Sequence, residues 1–565
     1  MKLIAAIVLT SIAAVSACAG TKPGKVAPDI SLSNPNAVID VIVRFKNLPS
    51  KDDLKKLGPY GQIKKIYNVI HGANVLMTVS QIRALQTDPQ IAYISPNRKM
   101  KGTLDVSTSA VNANMVWSYG YTGAGVGVAV IDSGVASVAD LAGRLVYTES
   151  MISGMDASDL YGHGTHVAGI IGASGAASQV AGSTRTYKGV APGANIISLR
   201  VLDQNGGGLD ADVISAIDRA IALKDVYNIR VINLSLGRPV FESFTLDPLC
   251  QAVEAAVKAG IVVVTAAGNS GRDNTFGENG YGTIIAPGND PYVITVGATN
   301  THGTATIADD TVASYSSKGP TSIDHIVKPD LVAPGNKVVS LLASPNVTLA
   351  TEYSGMNLVP LSTYVPGATG NSSDYYSLSG TSMATPVVSG AAALLIQKDP
   401  TLTPNMVKAR LMKTAAKALP TYMAAVAADG TSYTFQGDIF TVGAGYLDIF
   451  AALQNNDPIQ SSALSPAVQR DAVTGQVTLV RDLSVIWGNS VIWGDSVIWG
   501  DSVIWGDSVI WGDTLAGGVN GNSVIWGDSV IWGDATMAGF SVIWGDSVNL
   551  SVQPSGMSSN NGDKF

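Results

Sequence analysis

Uninterrupted apolar runs alternate with helix-like segments along the middle of the chain. Between residues 110 and 455 the apolar runs are VGVAVID, NIISLRVL, RVINLSL, GIVVVTAAG and YVITVGAT. Segments such as LDADVISAIDRAIALK and LDPLCQAVEAAVKAG, which separate some of these runs, have the spacing of amphipathic helices. Unbroken apolar strands that alternate with helices indicate a parallel sheet buried on both faces. The sequence therefore predicts an α/β domain whose chemistry lies at the carboxyl ends of the strands.

The pattern is different in residues 37–99. Here short strand-like and helix-like runs follow one another in the order β-α-β-β-α-β, beginning with AVIDVIVRF and ending with IAYIS. This order predicts a small α+β unit of the split βαβ, ferredoxin-like type. A charged stretch from Asn97 to Asp105 has the composition of a linker.

A hexapeptide repeat dominates residues 484–546. The motif SVIWG(D/N) occurs eight times there, five of them in tandem, and carries eight of the nine tryptophans of the chain. Val and Trp of each repeat would share one face of an extended strand, and Gly-Asp-Ser is a turn signal. A repetitive tail, either β or without a fixed fold, is expected. Three roles remain open: a β-solenoid spacer, a surface- or polysaccharide-binding module, and an unstructured low-complexity tail.

The first 18 residues have the features of an export signal. Lys2 is followed by a short apolar stretch and then by small residues, and the stretch is too short to span a bilayer. Val15-Ser16-Ala17-Cys18 resembles a bacterial lipobox, in which Cys18 would be lipidated; ordinary cleavage after Ala19 is the alternative. We therefore expect a protein exported from the bacterial cytoplasm, either anchored to the membrane by a lipid or extracellular.

Composition narrows the class of protein further. The 565 residues are 46% hydrophobic and only 14% charged, which favours a compact, well-packed chain. The net charge of −8 argues against nucleic acid as a partner. The second cysteine, Cys250, lies in an apolar helical stretch and is expected to be a small buried side chain rather than half of a disulfide. A monomer is expected.

Four polar residues fall where predicted elements begin or end. Asp132 ends the strand VGVAVID, and Asn269 follows the strand VVVTAAG. His163 opens the helix HVAGIIG, and Ser382 opens a long apolar helix that carries Pro386 in its early turns, where proline is tolerated. These residue types are the ones that acyl transfer through a serine nucleophile requires.

The stretch YGHGTHVAG holds two histidines, His163 and His166. A zinc pair would need a third protein ligand, and a zinc-protease helix would carry Glu after the first histidine, where Gly164 stands. No metal site is therefore predicted at these histidines. A core histidine and a catalytic base remain the alternatives for His163 on this stretch alone.

The stretches AVIDSGV, YGHGTHVAG, NLSLG, AAGNSG and SGTSMATP, in this order, resemble those of the subtilisin-like serine proteases, peptidase family S8. The resemblance covers about residues 110–455 and implies a three-layer parallel-sheet catalytic domain. It implies that Asp132, His163 and Ser382 are catalytic and that Asn269 lies in the oxyanion hole, whereas His166 is structural. It also implies that residues 37–99 are an inhibitory propeptide.

The same resemblance suggests the substrate contacts. Two edges would hold the peptide as an added strand, and their residues are Gly206, Gly207, Gly208, Ser235, Leu236 and Gly237. Ala267, Gly268 and residues 285–288 would border the pocket for the residue before the scissile bond. Ile285 is bulky for that position, so a narrowed pocket is expected.

Two segments depart from the family pattern. The loop after the histidine motif, ASGAASQVAGSTRTYKGVAPG, lacks the expected Asn, so calcium there is doubtful. No cofactor is expected for the chemistry, and a structural calcium elsewhere is possible without an assignable position. Residues 341–378 insert a polar loop that would be either a lid or rim of the site or a tolerated surface excursion.

The sequence thus predicts an exported serine endopeptidase that acts on proteins and peptides through an acyl-enzyme. It would be made as a zymogen that cleaves itself between Asn97 and Ser109, with its own propeptide as a partner. The competing interpretation is a surface adhesion protein on an inactivated protease fold, with the Trp repeat as the binding part. The intact set of Asp132, His163, Asn269 and Ser382 argues against that alternative.

Overall fold

A computed structural model describes residues 25–27, 30, 32–57, 61–67, 71–96, 106–275, 279–352, 357–458, 462–470, 477–480 and 562–563. The chain divides into two compact units, residues 1–101 and residues 102–565. The predicted export signal in residues 1–18, with Cys18, and the repeat of residues 484–546 lie outside the described residues.

The first unit contains a four-stranded antiparallel sheet and two helices. The strand order is β2-β3-β1-β4, and Val41, Val43, Ala73, Val75 and Ile94 are among the side chains that form its apolar core. The β-α-β-β-α-β order that the sequence predicts is present. The elements are β1 Val38–Phe45, α1 Lys51–Leu57, β2 Gln62–Tyr67, β3 Gly72–Thr78, α2 Val79–Leu85 and β4 Ile91–Pro96.

A largely parallel sheet of eight strands forms the centre of the second unit. Its main order is β11-β10-β9-β8-β5-β7-β6, with β12 pairing beside β10. All neighbouring pairs are parallel except β10 and β11. The strands are β5 Gly127–Asp132, β6 Leu145–Ser150, β7 Asn195–Arg200, β8 Ile229–Leu234, β9 Val262–Ala266, β10 Ile294–Asn300, β11 Thr311–Val312 and β12 Leu331–Pro334.

Helices cover the sheet and enclose two separate apolar cores, which gives the three-layer α/β architecture that was expected. One core contains side chains of α5 and α10, and the other contains side chains of α6 and α8. Every residue of β5, β9 and β10 is buried, as the unbroken apolar runs predict. The helices are α3 Val106–Ala110, α4 Ala113–Trp117, α5 His163–Gly172, α6 Asp210–Ala222, α7 Lys224–Tyr227, α8 Pro248–Lys258, α9 Thr348–Glu352, α10 Thr381–Lys398, α11 Pro404–Thr414 and α12 Ile449–Gln454.

Three small antiparallel sheets complete the second unit. The first has the order β13-β15-β14 and is formed by the polar segment before Ser382. The other two are the hairpins β16-β17 and β18-β19. The strands are β13 Val338–Leu341, β14 Leu358–Pro360, β15 Asn371–Leu378, β16 Tyr422–Val426, β17 Ser432–Gln436, β18 Ala467–Arg470 and β19 Val477–Val480.

Two further features follow from the described part of the chain. No helix in it has the length and apolarity needed to cross a membrane. Cys250 is fully buried on α8 and its thiol is free. Burial raises the pKa of this thiol far above its ordinary value, so the side chain is inert at neutral pH.

Candidate active site

Asp132 and His163 meet where strand β5 ends and helix α5 begins. Nδ1 of His163 lies 2.7 Å from Oδ1 of Asp132, and both side chains are buried. The backbone N–H of Ser133 donates a second hydrogen bond of 2.8 Å to the same carboxylate oxygen. The carboxylate is therefore fixed at the strand end and orients the imidazole ring.

A glycine makes this approach possible. A Cβ atom at Gly164 would lie 2.1 Å from the carbonyl oxygen of Gly134 and 3.2 Å from Cβ of Asp132. Any larger residue would separate the start of α5 from the loop that follows β5. The glycine after the first histidine therefore serves close packing, where a zinc protease would carry its glutamate.

The two histidines have opposite electrostatic environments. Burial alone would lower the pKa of His163, but the charge and hydrogen bond of Asp132 outweigh it, and the pKa is raised above 6.5. Burial lowers the pKa of His166 to about 3, with a further contribution from the charge of His163. Nε2 of His166 lies 3.1 Å from the carbonyl oxygen of Val338, and its ring packs edge-on against Tyr376. His166 is thus a neutral packing residue.

Ser382 is the second residue of α10, and Pro386 influences how it is held. Proline has no N–H, so the carbonyl of Ser382 lacks its usual helical hydrogen bond four residues on. The hydroxyl of Ser235 donates to this carbonyl instead, at 2.9 Å. Ser235 in turn accepts from the amide of Asn233 at 2.9 Å. The helix start is therefore anchored to the end of β8 by side-chain hydrogen bonds.

His163 and Ser382 line the same pocket, together with Asn269, Ser379 and Leu349 among others. The hydroxyl of Ser382 donates to the carbonyl of Ser235 at 3.0 Å. Nε2 of His163 is buried and has no hydrogen-bond partner among the described residues. The nucleophile–base hydrogen bond is therefore not formed in this conformation, although both residues line one pocket. Such bonds are often long or misaligned before substrate binds.

Asn269 is oriented by the residue that precedes Ser382. Its Oδ1 accepts from the backbone N–H of Thr381 at 2.9 Å and from the Thr381 hydroxyl at 3.1 Å. With the oxygen used in this way, the assignment of the amide is fixed and Nδ2 remains the donor. Asn269 thus presents an N–H donor in the pocket that Ser382 lines.

Asp159 organises the loop before His163, and the sequence analysis did not identify it. Its Oδ1 accepts from the Ser133 hydroxyl at 2.8 Å and from the N–H of Gly162 at 2.7 Å. Its Oδ2 accepts from the N–H and hydroxyl of Thr165 at 2.9 and 2.6 Å. Burial raises the pKa of Asp159, against the effect of these hydrogen bonds. The available signal was an acid four residues before His163 in an otherwise small and apolar motif.

The inserted segment of residues 341–378 is packed against the histidine loop. The N–H groups of Thr348 and Leu349 donate to the carbonyls of Leu160 and Tyr161, each at 3.1 Å. The buried hydroxyl of Tyr376 donates to the carbonyl of Gly162. Leu349 lines the pocket itself. Of the two alternatives for this insertion, the structure shows a rim of the site with a folded sheet beneath it.

The three glycines 206–208 form a tight turn after β7. The carboxylate of Asp203 accepts from the N–H of Gly207 at 2.9 Å, and the N–H of Asp203 donates to the carbonyl of Gly207 at 2.7 Å. Gly208 pairs with Leu202 in an isolated antiparallel bridge. The segment is thus a hydrogen-bonded turn at a strand end and not an open loop.

Ile285 lies between the other predicted substrate residues. A Cβ atom at Gly237 would be 2.5 Å from Cδ1 of Ile285, and one at Gly268 would be 3.0 Å from its Cγ2. Ile285 is 9% exposed, and its N–H donates to the carbonyl of Ala267 at 3.1 Å. Leu236, beside Gly237, is also buried. The isoleucine side chain therefore fills space between the segments that would border the substrate residue.

The loop after α5 is hydrogen-bonded to a carboxylate of the preceding segment. The nearby carboxylate of Asp140 already accepts from the N–H of Ala177 and from the Tyr375 hydroxyl, each at 2.7 Å. Throughout the described residues no group of three or more His, Cys, Asp or Glu side chains is placed to hold a metal. No step of the chemistry below involves a metal.

Comparison of the sequence with known proteins shows the family to which this chain belongs. The sequence pattern of the subtilase family, described as Peptidase S8, matches residues 123–445. The chain is 39% identical over 356 residues to the serine protease AprX of Bacillus subtilis (strain 168), covering 61% of this chain and 74% of that protein. It is 32% identical over 426 residues to subtilisin E of the same strain, covering 73% of this chain and 90% of that protein.

A third relative is described as an extracellular enzyme. The extracellular serine proteinase of Thermus sp. (strain Rt41A) is 32% identical over 373 residues, covering 64% of this chain and 75% of that protein. The match to the family covers more than half of this chain and spans Asp132, His163, Asn269 and Ser382. The chain belongs to the subtilase family and is a serine-type endopeptidase.

Proposed function

We propose that this protein is an exported endopeptidase in which Asp132, His163 and Ser382 form the catalytic triad and Asn269 stabilises the oxyanion. The observation that carries the proposal is the buried pair of His163 and Asp132, 2.7 Å apart, whose histidine lines the same pocket as Ser382. A serine hydroxyl is a weak nucleophile at neutral pH, and an oriented imidazole supplies the base that it needs.

The first step is attack on the scissile carbonyl. A rotation about χ1 of Ser382 moves its hydroxyl from the carbonyl of Ser235 to Nε2 of His163, which takes the proton. Asp132 holds the other ring nitrogen in its protonated tautomer and stabilises the imidazolium that forms. The raised pKa of His163 is consistent with this role, because the same interaction stabilises the charged ring.

Negative charge then develops on the former carbonyl oxygen. Nδ2 of Asn269 and the N–H of Ser382 at the start of α10 are the donors available to it, and the helix dipole favours an anion there. His163 returns its proton to the leaving amine, and water later hydrolyses the acyl-enzyme with the same base. The products are two peptides, and neither step uses a cofactor.

Ile285 supports a proposal about substrate choice. Its side chain occupies space between Gly237 and Gly268, so the pocket for the residue before the scissile bond is shallow. Small residues such as Ala are expected there in preference to Phe.

The two-unit organisation supports production as a zymogen. The first unit has its own core and is joined to the second by residues 97–105, which lie outside the described part of the chain. A folded unit ahead of a protease can occupy its cleft until the linker is cut. Export rests on the signal-like first 18 residues, and lipidation of Cys18 is the proposed anchor.

Casein digestion by the full chain tests the proposal. The wild-type protein should degrade casein, and Ser382→Ala should lose about a millionfold in kcat, the loss known for this serine in subtilisin. Ser198→Ala removes a buried hydroxyl with no hydrogen-bond partner among the described residues and is the matched control. Equal digestion by wild type and Ser382→Ala would refute the assignment, and a folded wild type without activity would favour the adhesion alternative.

A further inference from the structure

The far end of the chain is buried against the second unit. Gly562 and Asp563 are described and buried, although residues 481–561 before them lie outside the described part of the chain. Asp563 is fully inaccessible and forms an isolated antiparallel bridge with Ala427. These contacts are made by two residues that follow the final repeat, which ends at Asp546.

The carboxylate of Asp563 is held by charge and by hydrogen bonds. Its Oδ1 accepts from Nη2 of Arg272 at 2.9 Å and from the hydroxyl of Ser314 at 2.6 Å. Its Oδ2 accepts from the N–H of Ser314 at 2.7 Å. The guanidinium of Arg272 lies over the rings of Tyr315 and Tyr433, with its carbon 5.6 and 5.5 Å from the ring centres. Hydrogen bonds to a charged group are stronger than neutral ones, so this set selects an acidic side chain.

Asn336 binds the backbone of the same residue. Its Oδ1 accepts from the N–H of Asp563 at 2.8 Å, and its Nδ2 donates to the carbonyl of Asp563 at 3.0 Å. A side-chain amide that bonds both backbone groups of one residue mimics a neighbouring β-strand and fixes the direction of the bound chain.

The residue before Asp563 is a glycine that lies in close contact with two side chains of the site. A Cβ atom at Gly562 would lie 2.4 Å from the hydroxyl of Ser379 and 3.0 Å from Oδ1 of Asn336. Ser379 also lines the pocket that holds His163 and Ser382. The contact therefore joins the end of the chain to the segment that leads into the proposed nucleophile.

We propose that Arg272, Ser314, Asn336 and Ser379 form a docking site for a Gly-Asp dipeptide, whose occupant is Gly562-Asp563 at the end of this chain. The docked dipeptide anchors the far end of the repeat tail beside the active-site pocket. This proposal does not depend on the catalytic roles assigned above.

The hexapeptide repeat contains further Gly-Asp dipeptides that could compete for the docking site. Seven of the eight hexapeptides end in Gly-Asp, the last of them at Gly545-Asp546. Those dipeptides follow Trp, whereas Gly562 follows Asn561. The repeats are therefore the natural specificity control for the docking site.

Hydrogen exchange at the N–H of Ser314 tests the proposal in the full chain, carrying Ser382→Ala to prevent self-digestion. Asp563→Ala and Gly562→Ala should each raise that exchange about tenfold or more, since a charged hydrogen bond contributes about 1.5–3 kcal/mol. The matched control Asp546→Ala should leave it unchanged. A synthetic peptide of residues 559–565 should restore protection to Asp563→Ala, and the same peptide with Gly562→Ala should not. Unchanged exchange in Asp563→Ala, or an equal rise in Asp546→Ala, would overturn the proposal.

A second measurement needs no change at the docking site. In the same full-length Ser382→Ala chain, a carbodiimide with an amine nucleophile should label Asp563 much more slowly than Asp457, whose side chain is 54% exposed. Labelling of both carboxylates at the same rate would contradict the docking.

Discussion

At the scale of single residues, the site depends on a few groups whose partners are fully specified. Asp132 fixes the ring of His163, Asn269 is oriented by Thr381, and Ser235 replaces the hydrogen bond that Pro386 cannot make. Each of these contacts joins the end of one element to the start of another. Removing one of these partners should therefore affect catalysis more than removing a contact within a single element.

Asp132→Asn tests the orientation of the base. The amide does not stabilise the imidazolium and favours the wrong tautomer, so kcat should fall about 10⁴-fold. In the wild type the acidic limb of kcat/KM should have its midpoint above pH 6.5, because His163 must be neutral to act and its pKa is raised. In the variant the limb should move to lower pH, since burial remains and the charge is lost. A pH–rate profile with an unmoved limb would contradict this account.

Ser235→Ala tests the anchor of the nucleophile helix. It leaves the buried carbonyl of Ser382 without its donor, which should cost about 1–3 kcal/mol in the free energy of unfolding. Urea denaturation in the Ser382→Ala background measures this cost without self-digestion. The control Ser198→Ala should cost less, since its hydroxyl has no partner among the described residues. Equal losses in the two variants would show that the hydrogen bond contributes nothing.

At the scale of elements, a buried charge network joins helix α11 and the segment around Ser465 to the central sheet. Asp330, the residue before β12, accepts from Lys328 at 2.7 Å and from Ser465 at 2.5 Å, and lies 3.2 Å from Lys408 on α11. Burial would raise the pKa of Asp330, but the two lysine charges outweigh it and hold the pKa below 3.8. Its stabilising effect is therefore present at neutral pH and is lost as pH falls below 3.8.

Asp330→Asn should destabilise the protein by about 3–5 kcal/mol, because it removes the carboxylate that pairs with the buried amino groups of Lys328 and Lys408. The matched control is Asp457→Asn, which removes the solvent-exposed partner of Lys413 on the same helix and should leave the transition nearly unchanged. Thermal unfolding in the Ser382→Ala background would measure both. A shift for Asp330→Asn no larger than that of the control would contradict this account.

The elements also show what a sequence pattern can and cannot predict. Strands β5, β9 and β10 are buried on both faces, and unbroken apolar runs identify them. Strand β15, NSSDYYSL, has adjacent buried tyrosines among exposed polar residues, so neither the period nor the composition signalled a strand. Tyr376 packs against His166 of α5, and Tyr375 packs against Tyr187 and Tyr364. Only the tertiary structure determines these contacts. The position of Asp159, four residues before His163, is a sequence signal, but its hydrogen-bond partners Ser133 and Thr165 are known only from the tertiary structure.

At the scale of the whole molecule, the division of the chain into two units was predictable, because the change from short alternating runs to unbroken apolar runs marks it. The docked Gly562-Asp563 was not predictable. A Gly-Asp dipeptide is common in this tail, and only the arrangement of Arg272, Ser314 and Asn336 distinguishes one copy. Such a site is formed by loops from distant parts of the chain and leaves no local pattern.

Self-processing is the prediction that belongs to this scale. The mature wild-type protein should begin between Asn97 and Ser109, and Ser382→Ala should keep the first unit attached in the same purified system. Mass spectrometry of both N-termini measures this, with Ser198→Ala as the matched control. A mature N-terminus outside that window, or cleavage of Ser382→Ala at the wild-type site, would refute self-processing.

Phosphonylation of the folded full-length protein tests the central claim most directly, namely that the His163 imidazole activates the hydroxyl of Ser382. A fluorophosphonate should form a single adduct, located on Ser382 by mass spectrometry. The adduct should be absent in Ser382→Ala and should form far more slowly in His163→Ala. A folded wild-type protein that forms no adduct, or a reaction in His163→Ala as fast as in wild type, would contradict the account.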